Sequence, residues 1–210
     1  MKTYILFSLI LFAGSFMLKA EKSGKEAYNL SCKECHGENG AGGKDFGQAP
    51  NISILDEYYF RKQFKAIRSK TRKGPGTVAM NAYLDQKAKL SEEEIEAAVQ
   101  YALKLKPAEA NNKKDFGDAS NGAARYALCG TCHGQDGKGN INPAMPAPRL
   151  AGQADFYIVD QLKNFKNGHR GGGTSPSEIQ MKGMAAYLED EKVMKDIAAY
   201  IRKFKPVKER

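Results

Sequence analysis

The run Cys-x-x-Cys-His-Gly occurs twice in this 210-residue chain, as CKECHG at 32–37 and CGTCHG at 129–134, and the two runs hold all four cysteines. The repetition extends well beyond them. At an offset of 97, GENGAGG (37–43) also meets GQDGKGN (134–140). At 98, Pro50 meets Pro148, Tyr59 meets Tyr157, Gln63 meets Gln161 and Ile67 meets Phe165. At 99, YALKLKP (101–107) meets YIRKFKP (200–206). So small a drift over a whole unit makes the chain two copies of one fold.

The first twenty residues stand apart. Lys2 is followed by an uncharged apolar stretch over 4–18 and then by Leu-Lys-Ala, ending at Ala20. The pattern is that of an export leader cut after Ala20. Its apolar run is shorter than the roughly 20 residues that span a bilayer. A retained membrane anchor is the alternative. The expected plan is a leader at 1–20, unit one at 21–108, a polar linker at 109–121 and unit two at 122–210.

The formal charge is +9, and loss of Lys2 and Lys19 with the leader lowers it to +7. Export argues against nucleic acid as the partner of this basic chain, and an acidic protein face or anionic membrane surface fits it better. Arg61, Lys62, Lys65, Arg68, Lys70, Arg72 and Lys73 are concentrated in one acid-free stretch. They form either a docking patch or an ordinary solvated face.

Both units read as helical. A short helix leads into each cysteine pair, and a Gly-rich, Pro-containing loop follows. A second helix carries Phe60, Phe64 and Ile67 in unit one, matched by Ile158, Leu162 and Phe165 in unit two. The last helix of unit one opens on SEEE, where Ser91 can cap and Glu94 can close a capping box. Its apolar face is Ile95, Val99 and Ala102, against Ile197, Ile201 and Phe204 in unit two. No alternating strand pattern is present. Units this small have thin cores and usually need a staple.

Three chemistries use Cys-x-x-Cys. In covalent haem c attachment, two thiols add to the haem vinyls and the adjacent histidine ligates iron. A thiol–disulfide pair needs no following histidine and usually sits on a strand–helix unit. A four-sulfur zinc site also has no need of the two histidines, and it would draw on both repeats at once. Two matched Cys-x-x-Cys-His runs behind an export leader therefore point to two covalent haem c groups, on Cys32 and Cys35 and on Cys129 and Cys132, with His36 and His133 as axial ligands.

His169 is the one histidine left, so two bis-histidine irons are excluded and methionine is the natural sixth ligand. In unit one after the leader, Met80 stands alone. Unit two offers Met145, Met181, Met184 and Met194. Met145 follows His133 too closely and reads as a loop residue, and Met194 reads as core. The repeat offset favours Met181, whereas the likeness of MNAYL (80–84) to MAAYL (184–188) favours Met184. His169 reads as a loop residue. The carbonyls of Pro50 and Pro148 are candidates to orient the two histidine rings, with simple turn prolines as the alternative.

CGTCHG, PRLAGQADFYIVDQLKNFKNGHR, MKGMAAYL and IAAYI together resemble class I c-type cytochromes, and specifically the di-haem cytochrome c4 family. The resemblance covers nearly all of the chain beyond the leader. Its M-x-G segment begins at Met181. Unit one departs from it at APNISILDEYYFRKQ and MNAYLDQKAKL. The resemblance implies a mainly α chain of two tandem cytochrome c-like domains with haems close together. It also implies a periplasmic electron carrier, without catalysis of its own, between a membrane oxidoreductase donor and a terminal oxidase acceptor. Peripheral membrane association stays open. The alternatives are a di-haem peroxidase-like enzyme with one open iron and a haem subunit of a membrane respiratory complex.

Overall fold

The computed structural model describes residues 21–42, 49–112, 116–140, 146–173 and 175–207. The expected leader at 1–20 and Met145 lie outside the described residues.

Unit one begins with α1 (Gly24–Ser31), fixed by a capping box between Ser23 and Glu26. A break at Cys32 leads into the short α2 (Lys33–His36). Then come α3 (Glu57–Arg68), α4 (Pro75–Tyr83), a π-helical turn at Leu84–Ala88, and α5 (Glu92–Leu103). Unit two repeats the plan with α6 (Ala119–His133), α7 (Asp155–Lys166), α8 (Pro176–Ala186) and α9 (Glu191–Ile201). The described residues contain no strand, only an isolated bridge between Asn140 and Ala147. No described helix is long and apolar enough to cross a membrane.

The expected capping box at Ser91 and Glu94 opens α5. The apolar spacing over Phe60–Ile67 and Ile158–Phe165 builds α3 and α7. Phe204 differs from expectation. It lies beyond the end of α9, in the turn that follows, and its ring packs edge-on against Tyr126 and Tyr200, with centroids 5.3 and 5.2 Å away. The backbone turns there, yet the aromatic ring still reaches the core. Helices α4 and α8 were not foreseen. Each opens on a proline, Pro75 or Pro176, which fits a first helical turn because its missing N–H has no partner there anyway.

In each unit the first and last helices cross closely, α1 against α5 and α6 against α9. Glycine permits this. A Cβ on Gly24 would lie 2.6 Å from the Ala97 carbonyl oxygen, and one on Gly122 would run into the backbone of Asp196. Buried Tyr28 and Tyr126 lie beside these crossings and pair with Tyr101 and Tyr200 at 5.3 and 5.4 Å.

The two units share a polar seam. Asn51 N–H donates to Gln153 Oε1 at 2.8 Å, and Gln153 Nε2 donates back to the Asn51 carbonyl at 3.0 Å. The described residues at the join are held by hydrogen bonds. Ala108 N–H donates to Ser53 Oγ, Asn111 Nδ2 to the Gly42 carbonyl, and Asp155 N–H to Asn112 Oδ1. Helix α6 starts at Ala119, capped by Asp118, a little before Gly122.

Candidate functional site

Cys32 occupies the break before α2, whereas Cys35 and His36 lie within it. Cys129, Cys132 and His133 occupy the last turn and a half of α6. All four thiols are free and partly buried. Burial pushes the Cys32 thiol up to about 11, and burial also raises Cys35 and Cys129. A reactive thiol–disulfide pair has the opposite signature, a depressed thiol pKa. The two pairs sit in separate units, and among the described residues no cluster of three or more His, Cys, Asp or Glu could hold a metal ion.

The histidines are held identically. His36 and His133 are 8% and 7% exposed. The Nδ1 of His36 lies 3.0 Å from the Pro50 carbonyl oxygen, and that of His133 lies 2.8 Å from the Pro148 carbonyl oxygen. A carbonyl oxygen can only accept, so each Nδ1 carries the hydrogen and donates. The Nε2 lone pair is left for a ligand. Burial also lowers both imidazole pKa values, against the smaller opposing effect of the proline hydrogen bond. The rings are therefore neutral, oriented bases.

The chain leaves each histidine through a left-handed glycine, Gly37 at φ 77° and Gly134 at φ 80°. A side chain would be strained at these turns. The carbonyls of the same two glycines accept the hydroxyls of Tyr28 and Tyr126 at 2.7 and 2.8 Å. These tyrosines were missed in the sequence, although they stand 98 residues apart like the other matched pairs.

Met80 is the sixth residue of α4, and Met181 is the sixth residue of α8. Both are half-buried. Met181 packs against the unit-two core together with Cys129 and Leu188, and Met194 is fully inside that core. Met184 is half-buried, three residues beyond Met181. His169 is an exposed loop residue whose Nδ1 lies 3.1 Å from Asn164 Oδ1.

Much of the basic run in unit one is spent inside the chain. Arg61 pairs with Glu57 and Glu96, and Arg68 pairs with Asp85 and Glu92. Lys62 donates to Ser175 Oγ across the seam at 2.9 Å. Arg72 is buried in the seam, so Lys65, Lys70 and Lys73 are its exposed remainder.

A haem c suits these residues. Two thiols and one neutral imidazole are grouped in each unit, with a methionine helix nearby. Three buried guanidinium nitrogens, Arg72 Nε, Arg149 Nη1 and Arg170 Nε, have no acceptor of their own among the described residues. Buried donors without acceptors are rare in native proteins, and a haem brings carboxylates.

Residues 19–101 match the family described as cytochrome c oxidase, cbb3-type, subunit III, and residues 119–205 match the cytochrome c family. Cytochrome c-552 of Acidithiobacillus ferridurans is 31% identical over 210 residues, covering 89% of this chain and 86% of that protein. Cytochrome c4 of Pseudomonas aeruginosa is 40% identical over 84 residues, covering 40% of this chain. That match spans 37% of the Pseudomonas protein, so the similarity at higher identity reaches less than half of it. Among solved structures, reduced cytochrome c4 from Pseudomonas stutzeri superposes with a TM-score of 0.66 at 25% identity, covering 86% of this chain and 96% of that one.

Proposed function

From the premise that the chain belongs to the di-haem class I cytochrome c4 family and carries two covalently bound haem c groups, we propose that it is a periplasmic electron carrier. It passes single electrons between a membrane oxidoreductase and a terminal oxidase. When bound, each haem supplies an iron that gains and loses one electron.

The residues divide the work as follows. Cys32 with Cys35, and Cys129 with Cys132, hold the two groups as thioethers. With a haem bound, His36 and His133 would offer Nε2 to its iron, while Pro50 and Pro148 fix the ring tautomer and angle. Met80 and Met181 would supply the second protein ligand to each iron, Met181 being preferred to Met184 because its helical register equals that of Met80. Two protein ligands on each iron would leave no place for substrate, which favours a carrier over a peroxidase-like enzyme. The carrying observation is the pair of buried imidazoles tied in the same way, at 3.0 and 2.8 Å from matched proline carbonyls.

The test is direct. Protein exported and purified from a host able to mature c-type cytochromes is expected to gain the mass of two haems. Its oxidised spectrum is expected to carry the weak far-red methionine–iron band at two sites. One haem, or a high-spin ferric spectrum at either site, contradicts the reading.

A second reading has one observation behind it: unit one matches a family named for an oxidase subunit. Under that reading the chain is held in a membrane complex. Fractionation decides between them, because a carrier is released with the periplasm whereas a subunit stays with the membrane through a salt wash.

A further inference from the structure

The two units differ at one contact between the methionine helix and the cysteine-bearing segment. Three residues beyond Met80 stands Tyr83, whose hydroxyl donates to Glu34 Oε2 at 2.6 Å and lies 3.2 Å from the Leu30 carbonyl oxygen. Glu34 is one of the two residues between Cys32 and Cys35. The end of α4 is thereby tied to the segment that carries the thiols and His36. The π-helical turn that follows, Leu84–Ala88, packs against α1 on the same side.

Unit two has neither partner. Three residues beyond Met181 stands Met184, which has no donor. At the place of Glu34 stands Thr131, whose hydroxyl donates instead to the Leu128 carbonyl of its own helix at 2.7 Å. Tyr187, one turn further on, is 82% exposed, and among the described residues its hydroxyl has no partner.

We propose that Tyr83 and Glu34 form a latch that holds Met80 in place at the first site, and that unit two, lacking both, opens more readily to a small outside ligand. The proposal rests on the methionine ligation argued above. To exchange its methionine, unit one must swing α4 away from α2, and a phenol–carboxylate hydrogen bond must break first. Hydrogen bonds with one ionised partner are stronger than neutral ones. Tyr83 is thus a positioning residue that acts through α4.

The experiment mixes the oxidised holoprotein with imidazole and follows loss of the far-red band. Two phases of similar amplitude are expected. Met181→Ala identifies them, leaving only the slow phase of unit one. Tyr83→Phe should speed the slow phase roughly tenfold, the worth of one such bond, and leave the fast phase alone. Glu34→Ala should act the same way, and it serves instead if Tyr83→Phe fails to retain its haems. Glu34→Gln, which keeps an acceptor but not its charge, should fall between the parent and Glu34→Ala. Met184→Tyr combined with Thr131→Glu should slow the fast phase. The latch is overturned if Tyr83→Phe and Glu34→Ala both leave the slow phase unchanged, or if Glu34→Gln is as fast as Glu34→Ala. A parent protein with no far-red band would contradict methionine ligation itself, a result distinct from either of these.

Discussion

Arg72 and Arg170, 98 residues apart in sequence, face each other across the seam, and each hydrogen-bonds the side-chain carbonyls of both Gln63 and Gln161 at 2.8–3.0 Å. The arrangement is nearly two-fold. Arg72 also donates to Tyr157 at 2.9 Å, and Arg170 lies 3.4 Å from its counterpart Tyr59. Arg170 adds an ion pair with Glu178 and lies 4.3 Å from the Phe165 ring. The same three residue types from each repeat therefore build both halves of one joint.

Removing either arginine takes away one of the two donors on each glutamine oxygen and breaks the joint. Arg72→Gln or Arg170→Gln should destabilise the chain by about 3 kcal/mol, the scale for breaking a buried charged network. Denaturant unfolding checks this and should also show the two units melting in separate steps. Arg72→Lys should rescue poorly, because an ammonium cannot reproduce the planar fork that spans Gln63, Tyr157 and Gln161.

The crossing of α6 and α9 gives a steric prediction. Gly122→Ala forces a methyl group into the backbone of Asp196, and neither helix can yield without disturbing Ile197 and Tyr126 in the core. A loss of about 2–3 kcal/mol is expected from overpacking. Gly172 has open space around it, so Gly172→Ala should change stability by less than about 0.5 kcal/mol. Thermal unfolding of the two variants side by side checks the contrast.

Acid should weaken unit one through Glu94. Lys22 Nζ donates to its carboxylate at 2.7 Å, and the Ser91 N–H does so at 3.0 Å. Chiefly the Lys22 bond, then the Ser91 bond, holds the Glu94 pKa down to about 2, below the ordinary 4.5. The folded state therefore binds this proton less readily than the unfolded state. The stabilisation is whole above pH 4.5 and is lost as pH falls towards 2. Glu94→Gln should be less stable at neutral pH and should show a shallower decline on that acid limb. Denaturant midpoints at a series of pH values read both effects.

The methionines of unit two should separate cleanly. Met181→Ala is expected to halve the far-red band and to lower the potential of one iron, since thioether ligation raises it. Met184→Ala should leave the band intact. Redox titration followed in the visible region tests both substitutions.

The repeat made most of this plan readable. Offsets of 97 to 99 located the two sites, and the spacing of Phe60, Phe64 and Ile67 located α3 and, with it, α7. The α4 and α8 helices were hidden because PGTVAMNAY and PSEIQMKGMAA have weak apolar periodicity; their signal was the opening proline. Arg72 reads as one member of a basic run, and Arg170 simply follows the loop residue His169. Only their shared offset, with Tyr59, Gln63, Tyr157 and Gln161 on matching positions, marks them as one joint. Periodicity reports which face of a helix is buried, not which polar residues meet across two units.

The most direct measurement is a visible spectrum, oxidised and reduced, taken with the intact mass of the matured protein. The account expects a red protein heavier by two haems that stay attached on denaturation, with His and Met on both irons. Colourless protein, or one whose four cysteines bind a single zinc, would contradict it.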